Sequence, residues 1–254
     1  MIAVVTGAST GIGAATAKLL VKSGHTVIGI ARDGEKLAAL ARALGDRFHA
    51  HACDVTDSAA FGALLRQCAD DHARVDLLVN NAGTAKVMSI GETTPEEMRA
   101  MSELNAIAPA TAVNALWSTM TRHGDARIVN VSSLAQLDPF PGFFAYASSK
   151  AALHLQTVVA NAEGEPHGVR AFTLAPGVVD TPLHRSLMPD GIAPVDGLSS
   201  SLTPSDVAKV IVDIAKGKHD ARAGWVLALP APAAVAAVRR WVIEHPGGGV
   251  EILS

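Results

Sequence analysis

The stretch Ile2-Ala3-Val4-Val5-Thr6-Gly7-Ala8-Ser9-Thr10-Gly11-Ile12-Gly13 decides how this sequence is read. Ile2 to Val5 are apolar on successive residues, the pattern of a strand buried on both faces. The glycines that follow are spaced G-x-x-x-G-x-G and lead into a segment of helical period, Ile12 to Lys22. Glycine in such a turn lets the backbone reverse sharply, approach a pyrophosphate and pack the helix close to the sheet. The helix N-terminus then presents free N–H groups and a positive dipole end to phosphate oxygens. No Lys-Ser/Thr pair follows the last glycine, which disfavours a P-loop. A glycine turn that binds nothing competes with this reading, but the strand-turn-helix context weighs against it.

The same alternation continues along the chain. Strands are expected at Thr26 to Ala31, Phe48 to Asp54, Val75 to Asn80, Arg127 to Ser132, Val169 to Ala175 and Trp225 to Leu229. Helices such as Glu35 to Ala43 and Ser58 to Asp71 lie between them. This repetition predicts an α/β fold, a Rossmann-type doubly wound parallel sheet of about seven strands with helices on both faces. Thr56 or Asp57, Thr94 before Pro95 and Thr203 before Pro204 are helix caps. No linker interrupts residues 1–254, which are read as one domain. With 49% apolar residues the chain is not disordered, and a net charge of -3 without a basic run gives no footprint for nucleic acid. Two cysteines, Cys53 and Cys68, are too few to staple 254 residues, so a reducing, cytoplasmic setting is expected. No signal peptide is visible. The longest uncharged apolar run, Trp225 to Val238, holds Pro230 and Pro232 and falls short of the roughly 20 residues of a membrane span.

Two further constellations carry chemistry. The second strand is followed by Arg32, where an acidic residue would accept the ribose 2'-OH of NAD. A guanidinium there pairs with a 2'-phosphate, so NADP(H) is favoured. NAD(H) stays open, because Asp33 is placed to neutralise Arg32 or to reach the ribose. The single tyrosine, Tyr146, precedes Lys150 by four residues, on one face of a helix. Ser133 stands at the end of the strand Ile128-Val129-Asn130-Val131. A phenol, with a pKa near 10, exchanges protons poorly at neutral pH. A neighbouring ammonium and an oxidised nicotinamide favour the phenolate, and a serine hydroxyl holds the same oxygen as the phenol. Taken alone, Tyr-x-x-x-Lys reads equally well as an interfacial tyrosine beside a solvated lysine.

Together these residues resemble the short-chain dehydrogenase/reductase family, in its compact one-domain form, over nearly the whole chain. The glycine turn, Asp54-Val55, Asn80-Asn81-Ala82-Gly83, Asn105, the Ser133, Tyr146 and Lys150 set, and Pro176-Gly177-Val178-Val179-Asp180-Thr181 follow the family order. The resemblance implies that Tyr146 is the general acid in reduction and the base in oxidation. It implies that Lys150 binds the nicotinamide ribose and lowers the phenol pKa, that Ser133 positions the carbonyl, and that Asn105 supports a water-linked proton relay. It places the cofactor on Gly7, Ser9, Thr10, Gly11, Ile12, Gly13, Arg32, Asp54, Val55, Asn81, Ala82, Gly83, Tyr146, Lys150, Pro176, Gly177, Val179 and Thr181. NADP-preferring relatives often carry a basic residue where this chain has Thr10, so Arg32 alone speaks for NADP. Ser132 is implied to be the neighbour of the catalytic serine, although spacing does not exclude it.

The match fades in a divergent tail, about residues 230–254, which reads Leu229-Pro230-Ala231-Pro232 where relatives often have a Gly-Gly pair used in tetramer contacts. Ala231 to Trp241 fits a short apolar helix, and the glycine tract near Pro246 reads as flexible. Relatives dimerise through two long helices, here Pro95 to Thr121 and Tyr146 to Ala162, so a homodimer or homotetramer is expected. The substrate pocket is expected beyond the carboxyl ends of the strands. Its walls are Thr84 to Met88, Leu134 to Phe144 and Leu183 to Met188, with Ser133, Phe140, Phe143, Tyr146 and Leu183 touching substrate and a lid over about residues 178–203. His49, His51 and Cys53 alternate as a metal site might, but no fourth ligand follows and no metal is expected. The expected function is an NADP-dependent oxidoreductase. It moves a hydride between the nicotinamide and a carbonyl or secondary alcohol of a small to medium apolar substrate. The alternatives are an NAD-dependent alcohol dehydrogenase and a catalytically silent dinucleotide-binding sensor.

Overall fold

The computed structural model describes residues 1–187, 201–245 and 249–253. Its strands are β1 (Ile2–Thr6), β2 (Thr26–Ala31), β3 (Phe48–Ala52), β4 (Leu77–Asn80), β5 (Ala126–Val131), β6 (Val169–Pro176), β7 (Val226–Leu229) and β8 (Val250–Ile252). They form one sheet in the order β3-β2-β1-β4-β5-β6-β7-β8, and every neighbouring pair is parallel. The expected seven strands are thus eight. The addition, β8, aligns Val250 with Val226 and extends the sheet beyond β7. Strand order reverses at β1 and β4, so the connections leaving them diverge and open a crevice at the carboxyl ends.

The unbroken apolar runs are explained by two cores, one on each face. Ala3, Val5, Val27, Val79, Phe172 and Leu227 face Ala17 and Leu20 of α1 (Gly11–Lys22), Leu37 and Leu40 of α2 (Gly34–Leu44) and Val207 and Ile211 of α8 (Pro204–Ala215). Val4, Ile28, Leu78 and Ile128 face Phe61 and Leu65 of α3 (Ser58–His72) and Leu116 and Met120 of α5 (Ala108–His123). Successive strand residues therefore serve opposite cores, and neither face tolerates a polar alternation. Asp57, rather than Thr56, caps α3 by accepting from Ala60 N at 3.0 Å. Thr94 caps α4 (Pro95–Ser102), and Thr203 forms a capping box with Asp206 on α8.

The long helix expected over Pro95 to Thr121 runs without a gap to His123 but is not α-helical throughout. A π-helical turn, Glu103–Ile107, joins α4 to α5. The second long helix is α6 (Phe144–Gly164). In the tail, a 3-10 turn (Pro232–Ala234) and α9 (Val235–Glu244) occupy the crossover between β7 and β8. The ends of the expected lid are pinned to each other by Asp180 N to Leu202 O and Leu202 N to Val178 O, both 2.9 Å, and α7 (Pro182–Ser186) begins it. Residues 188–200 of that lid, Met188 among them, lie outside the described residues, as do Pro246, Gly247 and Gly248. Among the described residues, no helix is long and apolar enough to cross a membrane.

Candidate active site

At the carboxyl end of β1 the chain enters the glycine turn. Gly7 has φ +65°, and a Cβ on Gly13 would lie 2.2 Å from the Gly7 carbonyl oxygen. The turn therefore closes on itself only with glycine at both places. Asn81 fastens it to the end of β4: its Nδ2 donates to Thr6 O at 2.9 Å, and its backbone N donates to Thr6 Oγ1 at 3.0 Å. Ala82 N shares that oxygen, also at 3.0 Å. Thr6, which the motif reading passed over as the last strand residue, is thus the post on which the β1 and β4 loops hang. The Asn81 amide nitrogen is thus spent on the loop. Ser9 and Ile12 are half-buried in the turn, and Thr10 is exposed at the helix N-cap. Thr10 makes no side-chain capping bond and α1 has no acidic residue in its first turn, unlike α2 and α4. Open N–H groups beside a tight glycine cradle fit the pyrophosphate of a dinucleotide.

Beyond β2, Arg32 is exposed and makes no ion pair among the described residues. Asp33 does not neutralise it. Asp33 caps α2 through Lys36 N at 3.0 Å and pairs with the Lys36 ammonium at 2.6 Å. Asp54 follows β3. Hydrogen bonds from Thr56 hold its carboxyl below the ordinary carboxylate range, and the charge of Arg32 adds to this. Val55 is buried in the α3-side core, Val179 in the other, and Pro176 ends β6 opposite Leu229. Gly177 N donates to Leu229 O at 2.9 Å. Thr181 caps α7 through His184 N at 3.1 Å, and its methyl lies against Gly11.

Three residues converge at the carboxyl ends of β4 and β5. Ser133 stands beside the Tyr146 phenol, and its Oγ accepts from Ala135 N at 3.2 Å. Ser132 is buried and donates to Lys150 O at 3.3 Å. Lys150 is buried, donates from Nζ to Val131 O at 2.9 Å and sits 5.9 Å from the centre of the Tyr146 ring. Burial lowers its pKa to about 8. Burial also raises the pKa of Tyr146, with the Ser133 hydrogen bond opposing. Burial thus opposes the lowering expected of the neighbouring ammonium.

Asn105 lies in the π turn and is fully buried. Its Oδ1 accepts from Thr84 N at 2.9 Å, while its Nδ2 donates to Thr84 O at 2.9 Å and to Ser149 Oγ at 3.0 Å. Thr84 and Ser149 are partners that no motif announced. Gly83 fits between Asn105 and Lys150, a position where a Cβ would meet Asn105 Oδ1 at 3.0 Å.

On the substrate side, the rings of Phe140 and Phe143 lie tilted against each other with centres 4.2 Å apart, and Phe143 meets Tyr146 edge-on at 5.1 Å. Met88 N donates to Gly142 O at 2.9 Å, joining two of the expected walls. Phe140 is 55% exposed and Leu183 38%, so both stand at the rim of this crevice. Among the described residues, no group of three or more metal-ligating side chains is arranged to hold an ion.

The geometry agrees with what the chain is similar to. Residues 1–191 match the short chain dehydrogenase family. An uncharacterised oxidoreductase of Staphylococcus saprophyticus is 32% identical over 83% of this chain and 89% of its own. The 3-oxoacyl-[acyl-carrier-protein] reductase of Vibrio harveyi is 34% identical over 74% of this chain and 78% of its own. Among solved structures, the 3-ketoacyl-(acyl-carrier-protein) reductase of Brucella melitensis, complexed with NADH, superposes with a TM-score of 0.84 at 25% identity. That comparison covers 92% of this chain and 98% of the other. The chain belongs to the short-chain dehydrogenase/reductase family, a family of oxidoreductases that use NAD(P)(H).

Proposed function

We propose that this protein reduces a carbonyl, or oxidises the matching secondary alcohol, with NADP(H), on a small to medium substrate with an apolar body. The observation that carries the reading is a phenol whose ring centre lies 5.9 Å from the ammonium of a buried lysine, with Ser133 beside it. The bound nicotinamide supplies or accepts the hydride. Tyr146, kept protonated at neutral pH by burial, gives its proton to the substrate oxygen in reduction and takes it back in oxidation. Ser133 holds that oxygen as charge develops on it. Lys150 would hold the ribose of the bound cofactor. Asn105 holds the Thr84 loop beside it through both ends of its amide. Phe140, Phe143 and Leu183 form the apolar rim.

A panel of ketones and matching alcohols, followed by nicotinamide absorbance with both cofactors, tests this. Carbonyl-dependent oxidation of reduced cofactor is expected, whereas binding without turnover across the panel would support the silent sensor. Unpaired Arg32 favours NADP. The NADH in the Brucella relative supports the NAD-dependent alcohol dehydrogenase as second reading. Arg32→Ala should weaken NADPH binding about tenfold or more, the scale of a lost charged hydrogen bond, and NADH binding by less than about threefold. The gap should narrow with salt, because Arg32 is exposed. Equal losses, read by fluorescence titration, would count against NADP preference.

Described residues of the whole chain share one sheet, which supports a single domain. Leu155, Val158 and Val159 expose an apolar stripe on α6 that supports a homodimer, while β8 and α9 cover the edge beyond β7 and argue against the homotetramer. Free Cys53 and Cys68 fit a cytoplasmic location.

A further inference from the structure

We propose that Ser149 is a positioning residue of this site: its hydroxyl ties the loop after β4 to the helix that carries Tyr146 and Lys150. This rests on the oxidoreductase reading of the same site.

Ser149 lies on α6, between Tyr146 and Lys150 in sequence. Its hydroxyl donates to Tyr146 O, three residues back, at 2.7 Å. Serine in a helix often bonds back to the preceding turn, and Ser148 does the same, donating to Phe144 O at 2.7 Å. The two serines differ in what meets them from outside the helix. Ser148 is exposed. Ser149 is buried, and its oxygen accepts from Asn105 Nδ2 at 3.0 Å. A hydroxyl has one proton and two lone pairs, so giving the proton to Tyr146 O leaves Ser149 an acceptor toward Asn105.

Asn105 carries the link onward. Its Oδ1 accepts from Thr84 N and its Nδ2 donates to Thr84 O, both at 2.9 Å, which fixes how the amide faces. Gly83, the preceding loop residue, fits between Asn105 and Lys150: a Cβ there would lie 3.0 Å from Asn105 Oδ1 and 3.4 Å from Lys150 Nζ. A chain of hydrogen bonds thus runs from Thr84 through Asn105 and Ser149 to the Tyr146 carbonyl. It joins the loop to the first turn of the helix that bears the proton donor. Among the described residues, the bond to Ser149 is the one hydrogen bond between the π turn and α6. Without it, packing alone keeps the two in register. A misplacement of about 1 Å between reacting groups can cost about 10²-fold in rate, so a partial loosening of this register is expected to cost about tenfold.

The whole protein with NADPH and 2-hexanone tests this. Ser149→Ala should lower kcat about tenfold, with KM for 2-hexanone and the Kd for NADPH each within about threefold of wild type, because geometry is lost and no substrate contact is. Ser148→Ala removes the same kind of back-bond and should keep kcat within about twofold of wild type. In an Asn105→Ala background, Ser149→Ala should cost no more than about twofold further, because Ser149 acts through Asn105. Unchanged kcat in Ser149→Ala, an equal loss in Ser148→Ala, or the same tenfold loss in both Asn105 backgrounds would each overturn the proposal. If Asn105→Ala does not fold, the comparison of the two serine variants decides. Absence of turnover by wild type across the ketone panel would count against the oxidoreductase reading, and melting temperatures then decide the link. The double variant should melt higher than the two single losses added together predict, and strictly additive losses would sink the role given to Ser149.

Discussion

Tyr146→Phe lowers kcat/KM for carbonyl reduction by about 10³-fold, within the range of about 10²–10⁴ that a positioned general acid contributes. The substitution removes one oxygen and nothing else. The ring keeps its edge-on contact with Phe143 and its place in the small cluster with Met88, Met101 and Ala145. Cofactor affinity and melting temperature should therefore stay near wild type, while the substrate oxygen loses its proton donor. Water cannot readily substitute, because the phenol is crowded enough for burial to raise its pKa. Activity within about tenfold of wild type would remove Tyr146 from the chemistry.

Lys150→Met separates function from stability. Burial takes the Lys150 pKa from 10.5 down to about 8. Between those values the unfolded chain holds more protons than the folded one, so stability rises with pH through this interval. Below pH 8 the full cost of burying the charge is present, about 3 kcal/mol at about 1.4 kcal/mol per pH unit. Methionine removes that cost and also the hydrogen bond to Val131 O, whose loss returns about 1–3 kcal/mol. The variant should thus be as stable as wild type or more so at pH 7, by up to about 2 kcal/mol, and should lose the rise between pH 8 and pH 10.5. Catalysis should fall by about 10²-fold or more. Thermal unfolding at pH 7 and pH 9.5 checks both signs. A variant that keeps the wild-type pH slope would show that Lys150 is not the titrating group.

The contrast between these residues and their surroundings shows how much the sequence made legible. The sheet was readable because Ala3, Val5 and Val4 serve two cores at once, which forces continuous apolar runs. The glycine turn was readable because Gly13 meets the Gly7 carbonyl too closely for any other residue. β8 was missed because Val250-Glu251-Ile252 is too short to show a period, and its pairing depends on β7 already being in place. The π turn at Asn105 was missed because apolar spacing records which face is buried and not a single extra residue in the helix. Ser133 and Ser132 needed the fold to be told apart, since only three-dimensional placement bonds the Ser132 hydroxyl to Lys150 O and leaves Ser133 beside the phenol.

Reduction of a ketone with cofactor deuterated at the transferring nicotinamide carbon tests the central claim most directly. Mass spectrometry of the alcohol should find one deuterium on the former carbonyl carbon for each cofactor oxidised, with formation suppressed by Tyr146→Phe. Alcohol formed without the label, or labelled product undiminished in the Tyr146→Phe protein, would contradict the account.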